Sequence, residues 1–196
     1  MERFQNRRLC QESVDVERPE LRIAVVAGVG QGQTLLSAFD AALFRCGVHS
    51  YNVISLSSVI PPASEVVISD RYQAPAAEYG HKLYVVKAEM RSDEPGAVIA
   101  AGLGWLQHDD GRGVFVEHEV SGEGVSPAEL EGVLSTQIAT SLRDLAHTRG
   151  LELDSDQART HVVSTIVESL PACALVLAVY QAEGWSAAPP VTAGGR

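Results

Sequence analysis

Apolar residues fall in short β-branched runs along most of this chain, and only two stretches repeat at helical spacing. Leu21 to Ala27 is such a run and predicts a strand. Gly28, Gly30 and Gly32 follow it and predict a tight turn with unusual backbone angles. Gln33 to Cys46 predicts a helix, with Leu36, Phe39, Asp40 and Leu43 at helical spacing and Gly47 as its stop. Tyr51 to Ser57 predicts a second strand, halted by Pro61-Pro62 because proline lacks an amide donor. Residues 63–80 are rich in Ala, Ser and Pro and read as an irregular loop. His81–Met90 and Ala97–Leu106 read as strands around a turn at Asp93-Glu94-Pro95-Gly96. Val114–Val120 is a further strand after a turn at Asp109-Asp110-Gly111. Ser126-Pro127-Ala128-Glu129 is a capping box with proline at the first helical position. It opens a helix to about His147, with an apolar stripe of Leu130, Val133, Leu134, Ile138, Leu142 and Leu145. His161–Leu170 and Ala172–Tyr180 supply the last strands. Few long helices among many strands imply an α/β sandwich.

Composition narrows the class. A length of 196 residues favours one domain, and 45% hydrophobic residues suffice for a sizeable core. No apolar stretch reaches the roughly 18 residues of a membrane span. Met1 to Arg8 lacks the apolar centre of a signal peptide, so a cytoplasmic protein is expected. Residues 1–20 and 186–196 read as mobile tails. A formal charge of −10 argues against nucleic acid and anionic membrane as partners and favours a cationic ligand. Cys10, Cys46 and Cys173 fit neither a disulfide framework nor a zinc pattern, and Cys46 and Cys173 read as small core residues. The histidines show no metal spacing, so no metal is expected. The glycine segment lacks the Lys-Ser/Thr of a phosphate loop and the spacing of a dinucleotide loop, which leaves nucleotide binding as a remote alternative.

Ser57 and Ser58 end the second predicted strand, just ahead of Val59-Ile60-Pro61-Pro62. Such a pair either simply closes a strand or does chemistry. A serine hydroxyl beside a strained carbonyl can attack it, and elimination from the resulting ester leaves a dehydroalanine that hydrolyses to a pyruvoyl ketone. That ketone is an electrophile that no ordinary side chain supplies. Asp40 shares a helical face with Leu36 and Leu43, where a carboxylate is costly unless paired. Its partner is either an internal Arg22 or Arg45, or a ligand guanidinium held bidentately. Glu117 and Glu119 share one strand face and His118 takes the other. A carboxyl in a dry pocket has its pKa raised and serves as a general acid near neutral pH.

Several blocks in order resemble the pyruvoyl-dependent arginine decarboxylases. They are Val26-Ala27-Gly28-Val29-Gly30-Gln31-Gly32-Gln33-Thr34, then Ala38-Phe39-Asp40-Ala41-Ala42-Leu43, then Asn52 and Ser57-Ser58-Val59-Ile60-Pro61-Pro62. Glu78-Tyr79-Gly80, Phe115-Val116-Glu117-His118-Glu119 and Arg149-Gly150-Leu151-Glu152-Leu153-Asp154 come after them. The resemblance spans about residues 21–181. It implies a four-layer αββα sandwich, assembled as trimers or dimers of trimers with active sites between subunits. It implies one domain cut between Ser57 and Ser58 into chains 1–57 and 58–196, with a covalent pyruvoyl group made from Ser58 and neither metal nor pyridoxal phosphate. The substrate would be L-arginine, decarboxylated to agmatine through a Schiff base. Glu117 would be the acid, Asp40 the guanidinium ligand, and Leu36, Leu43, Asn52 and Val59 the remaining substrate-binding residues. His49 and Tyr51 stand where the family has smaller residues, which leaves ornithine or lysine as alternative substrates. An uncleaved, non-catalytic relative is the alternative from another class.

Overall fold

The structure is a computed structural model and describes residues 21–150 and 158–186. The tails expected at 1–20 and beyond Ser186 lie outside them, as does most of the block after Gly150. The elements in chain order are β1 (Leu21–Gln31), α1 (Leu35–Cys46), β2 (Asn52–Ser55), β3 (Val59–Ile60), β4 (Ser64–Ile68), β5 (Lys82–Ser92), β6 (Val98–Gln107), β7 (Gly113–Gly122), α2 (Pro127–Thr148), β8 (Arg159–Ile166) and β9 (Ala172–Glu183). One sheet has five strands in the order β2-β5-β9-β1-β4, and the other has four in the order β3-β7-β6-β8. The β1–β4 and β2–β5 pairs are parallel and the rest are antiparallel.

Three apolar clusters hold these elements. Ile23, Val25, Val86 and Val176 of the first sheet meet Ile99, Leu103, Trp105 and Phe115 of the second. Ala38, Ala42, Leu43 and Cys46 of α1 cover the outer face of the first sheet at Val26, Leu83 and Leu177. Leu130, Leu134, Ile138 and Leu142 of α2 cover Val98, Ala100 and Val116 of the second. Leu134, Ile138 and Leu142 are almost fully buried. Each contributes on the order of 2 kcal/mol by leaving water, so packing more than propensity seats α2.

The helix ends match the sequence. Thr34 caps α1, its side chain accepting from the Ser37 amide while the Ser37 hydroxyl accepts from the Thr34 amide. Gly47 closes α1 at φ 86°, in the left-handed region open to glycine. Ser126 and Glu129 form the expected capping box on α2.

Four expectations need correcting. The glycines make no turn: Gly28 and Gly30 lie inside β1, and neither they nor Gly32 has positive φ. Their lack of a side chain lets α1 lie on the strand, since a Cβ on Gly30 would fall 2.2 Å from the Ala38 carbonyl oxygen. That contact also shifts the buried face of α1 onto small residues, Ala38 and Ala42, while Leu36 is 70% exposed. Asp40 therefore does not lie on a buried apolar stripe. The expected strand Tyr51–Ser57 divides: β2 covers Asn52–Ser55 in one sheet, and β3 begins at Val59 in the other. The supposed loop at 63–80 contains β4, a five-residue edge strand whose short apolar run, Val66-Val67-Ile68, is recognisable only through its parallel register with β1. Among the described residues, no helix is long and apolar enough to cross a membrane.

Candidate active site

The chain leaves the five-stranded sheet at Ser55 and enters the four-stranded sheet at Val59, so Ser57 and Ser58 sit in the crossing between them. Ser58 has φ 63°. A non-glycine residue there costs about 1–3 kcal/mol and persists only where its surroundings fix it. Three contacts do so. The Phe115 amide donates to the Ser58 carbonyl at 2.8 Å. The Ser58 hydroxyl faces both carboxylate oxygens of Glu117, at 3.0 Å (Oε1) and 2.8 Å (Oε2). One residue on, the Tyr180 hydroxyl donates to the Val59 carbonyl at 2.9 Å.

Ser57, Ser58 and Glu117 open onto a cavity of about 420 Å³ whose far wall is His118, Ser141 and Asp144. His118 Nε2 and Ser141 Oγ are hydrogen-bonded at 2.7 Å, which ties β7 to α2 beside Glu117. Glu119, two residues along β7 from Glu117, accepts from the Glu89 amide at 3.0 Å and so ties β7 to β5. Tyr180 is 9% exposed. Burial first, and the Glu117 charge second, push its phenol pKa up, so it stays a donor at any ordinary pH.

The expected substrate residues do not gather here. Asp40 is exposed and lines a different cavity, of about 1140 Å³, with Gly28, Ser37, Arg45 and Asp70. Leu36 is exposed one turn away and Leu43 is turned into the core. Of the internal cations considered for Asp40, Arg22 pairs with Glu65 at 3.4 Å, while Arg45 shares the Asp40 cavity. The Asn52 amide donates to the Gly80 carbonyl at 2.7 Å. Val59 is half exposed next to Ser58.

Comparison with known proteins settles the kinship of the chain. The family model described as pyruvoyl-dependent arginine decarboxylase matches residues 22–184.

The chain belongs to the pyruvoyl-dependent arginine decarboxylase family.

A relative of that name from Halobacterium salinarum is 33% identical over 160 residues, covering 81% of this chain and 93% of the relative. Those from Picrophilus torridus (31% over 133 residues, 67% and 70% covered) and Thermococcus kodakarensis (31% over 158 residues, 81% and 93% covered) carry the same name. Membership makes the chain an enzyme of the carboxy-lyase class.

In this family member the bulky Tyr51 does not intrude on the Ser58 cavity. It is buried, and its hydroxyl donates to Glu78 at 2.5 Å in a separate cavity of about 350 Å³ that His49 also lines. Sequence reasoning missed Tyr180, the Phe115 amide and Ser141. Tyr180 stands 121 positions from Val59 in an apolar run that reads simply as a core strand, so no local signal marks it. Ser141 lies outside the apolar stripe predicted for α2.

Proposed function

We propose that this chain cuts itself between Ser57 and Ser58 and then decarboxylates L-arginine to agmatine. The observation that carries the reading is the Ser58 hydroxyl resting on the Glu117 carboxylate at a left-handed backbone position. A base on the nucleophile and a strained peptide beside it are what an acyl shift needs. Glu117 takes the hydroxyl proton as Ser58 Oγ bonds to the Ser57 carbonyl carbon. The peptide C–N bond breaks and leaves an ester and a free amine. Loss of the residue-58 α-proton then breaks the Oγ–Cβ bond and releases the Ser57 carboxylate. Water replaces the nitrogen at residue 58, which departs as ammonia and leaves the ketone.

The residues present fit that group. The residue-58 carbonyl already has an amide donor in Phe115, and the side chain opens onto a cavity with Glu117 in its wall. Once formed, the ketone supplies an electrophile for Schiff-base formation with the substrate α-amine and a sink for the electrons left by carbon dioxide. Glu117, having received a proton, holds it at its carboxyl oxygen within reach of the reacting carbon and returns it there. Arginine is the substrate named for the relatives. Asp40 offers its guanidinium a carboxylate, flanked by the exposed Leu36.

The larger frame belongs to the same reading. The order helix, sheet, sheet, helix is a four-layer αββα sandwich, supported by the three apolar clusters. The chain forms a single domain in the cytoplasm and assembles as trimers or dimers of trimers, with Asp40 and Asn52 of one subunit meeting Ser58, Val59 and Glu117 of another.

Intact-mass measurement of the purified protein together with a carbon dioxide release assay tests this. Expected are two fragments, residues 1–57 and 58–196, whose masses sum to the whole chain plus water minus ammonia, and release from arginine ahead of ornithine and lysine. Ser58→Ala should stay whole and inactive. An active wild type that remains one uncut chain rules the proposal out.

A further inference from the structure

Residue 58 is held from both sides only while the chain is intact. Cutting at Ser57 removes everything upstream and turns residue 58 into a chain end, and ends drift unless tied down. Downstream, the Ile60 side chain is seated in the core, but the backbone support for that end is slight. Strand β3 has two residues, paired with Val114 and Gly113 of β7. The Phe115 amide on the Ser58 carbonyl comes from the same β7 backbone. These contacts lie on one edge of one sheet.

The Tyr180 hydroxyl is different in origin. It reaches the Val59 carbonyl from β9, a central strand of the opposite sheet. Its ring is fixed edge-on against Phe115 with centroids 6.3 Å apart, and Phe115 packs in turn on Trp105 at 5.9 Å. It is thus a rigid post carrying a single donor, aimed at the residue adjoining the reactive one. We propose that Tyr180 is a positioning residue: its bond to the Val59 carbonyl holds residue 58 against Glu117 before the cut and keeps the new chain end there afterwards. This rests on the reading that the chain is cut between Ser57 and Ser58. Tyr180 itself touches no reacting atom, so its removal changes how well residue 58 is aimed and leaves substrate binding alone.

Tyr180→Phe keeps the ring and deletes the donor. Wild type and variant are followed by intact mass for the rate of cutting and by steady-state kinetics with arginine on fully cut protein. Hydrogen exchange at the Val59 and Ile60 amides is measured in cut wild type and in uncut Ser58→Ala. Expected is cutting slowed about five- to tenfold and kcat lowered by a similar factor, the scale of one lost hydrogen bond, with KM within about twofold. Exchange at Val59 and Ile60 should stay as slow in cut wild type as in Ser58→Ala, and should quicken in cut Tyr180→Phe. Cutting and kcat at wild-type rates in the variant overturn the proposal. So does free exchange at these amides in cut wild type, a readout that stands even if the variant fails to fold. A wild type that never cuts instead refutes the cleavage reading, and this proposal with it.

Discussion

Asp40 and Ser58 open onto different cavities of the same chain. On the proposed reading a single arginine would offer its α-amine at residue 58 and its guanidinium to Asp40, so a site built from both residues would need two copies. Glu117 is likewise exposed in the single chain. In the proposed trimer a second copy would close over Glu117 and bring an Asp40 to it.

Complementation is the consequence of that arrangement. Asp40→Asn and Glu117→Gln should each be nearly inactive alone. Produced together in equal amounts in one cell, so that each chain folds before it is cut, they should recover about a quarter of the wild-type sites, the share in which an intact Glu117 faces an intact Asp40 on a neighbouring subunit. Activity of the co-produced protein is the measurement. A mixture no more active than its components means that Asp40 serves no site shared with Glu117.

Glu117→Gln should also slow self-cutting. The carboxylate meets the Ser58 hydroxyl with either oxygen and can take its proton, whereas an amide accepts through one oxygen and takes none. Turnover of whatever protein is cut should fall by about 10²–10⁴, the range for a lost general acid. Time courses of fragment appearance and single-turnover kinetics read the two effects separately. Wild-type values for both would move the proton-transfer role to another residue.

Much of the fold was legible because local chemistry and tertiary packing agree. The capping box at Ser126–Glu129, the stop at Gly47 and the buried stripe of Leu130, Leu134, Ile138 and Leu142 on α2 each stand where the sequence puts them, while Val133 of that stripe is 52% exposed. The misses share a cause. Gly28 and Gly30 look like turn residues, but their use is to admit a helix backbone, and nothing local announces that α1 lies above them. Ser64–Ile68 is too short to be called a strand without β1 beside it. The Ser57-Ser58 pair was visible through its flanks, and the pairing of Ser58 with Glu117 joins residues 59 positions apart, a distance that only family resemblance bridges. Tyr180 had neither aid.

Two glycine substitutions should move stability in opposite directions. On Gly30 a Cβ would lie 2.2 Å from the Ala38 carbonyl oxygen and 2.3 Å from the Ala42 amide nitrogen, both backbone atoms that cannot swing aside. Gly30→Ala should cost about 3 kcal/mol or more. Gly132, within α2, has nothing within 4 Å of such a carbon. Gly132→Ala should add about 0.5–1 kcal/mol through helix propensity. Denaturant midpoints of uncut Ser58→Ala carrying each change decide it, and equal shifts would contradict the packing of α1 on β1.

Burial pushes the Cys46 and Cys173 thiols up to about 12 from an ordinary 9.0. The folded protein therefore holds these protons over a range in which the unfolded chain releases them. Stability from this source is complete below about pH 9 and is lost as pH rises toward 12, at roughly 1.4 kcal/mol per pH unit for each thiol. Replacing both with alanine should flatten that decline, measured by denaturant unfolding from pH 8 to pH 11. At pH 8 a thiol reagent should modify neither residue until the protein unfolds. Rapid modification in the folded state would show that the cluster beneath α1 is open to solvent.

The chain changes sheets at the Ser57-Ser58 bond, so cutting there severs no strand. The upstream piece would keep β1, α1 and β2, with β1 clasped between β9 and β4 and β2 lying on β5. The mature protein would hold together as two interlocked chains, yet its folding would have changed kind. A newly made chain folds as one molecule, at a rate indifferent to dilution. Once cut and then unfolded, its halves must find each other in solution, and recovery becomes second order in protein concentration. The same break that creates the reactive group would turn a reversible fold into one that, at low concentration, is made only once.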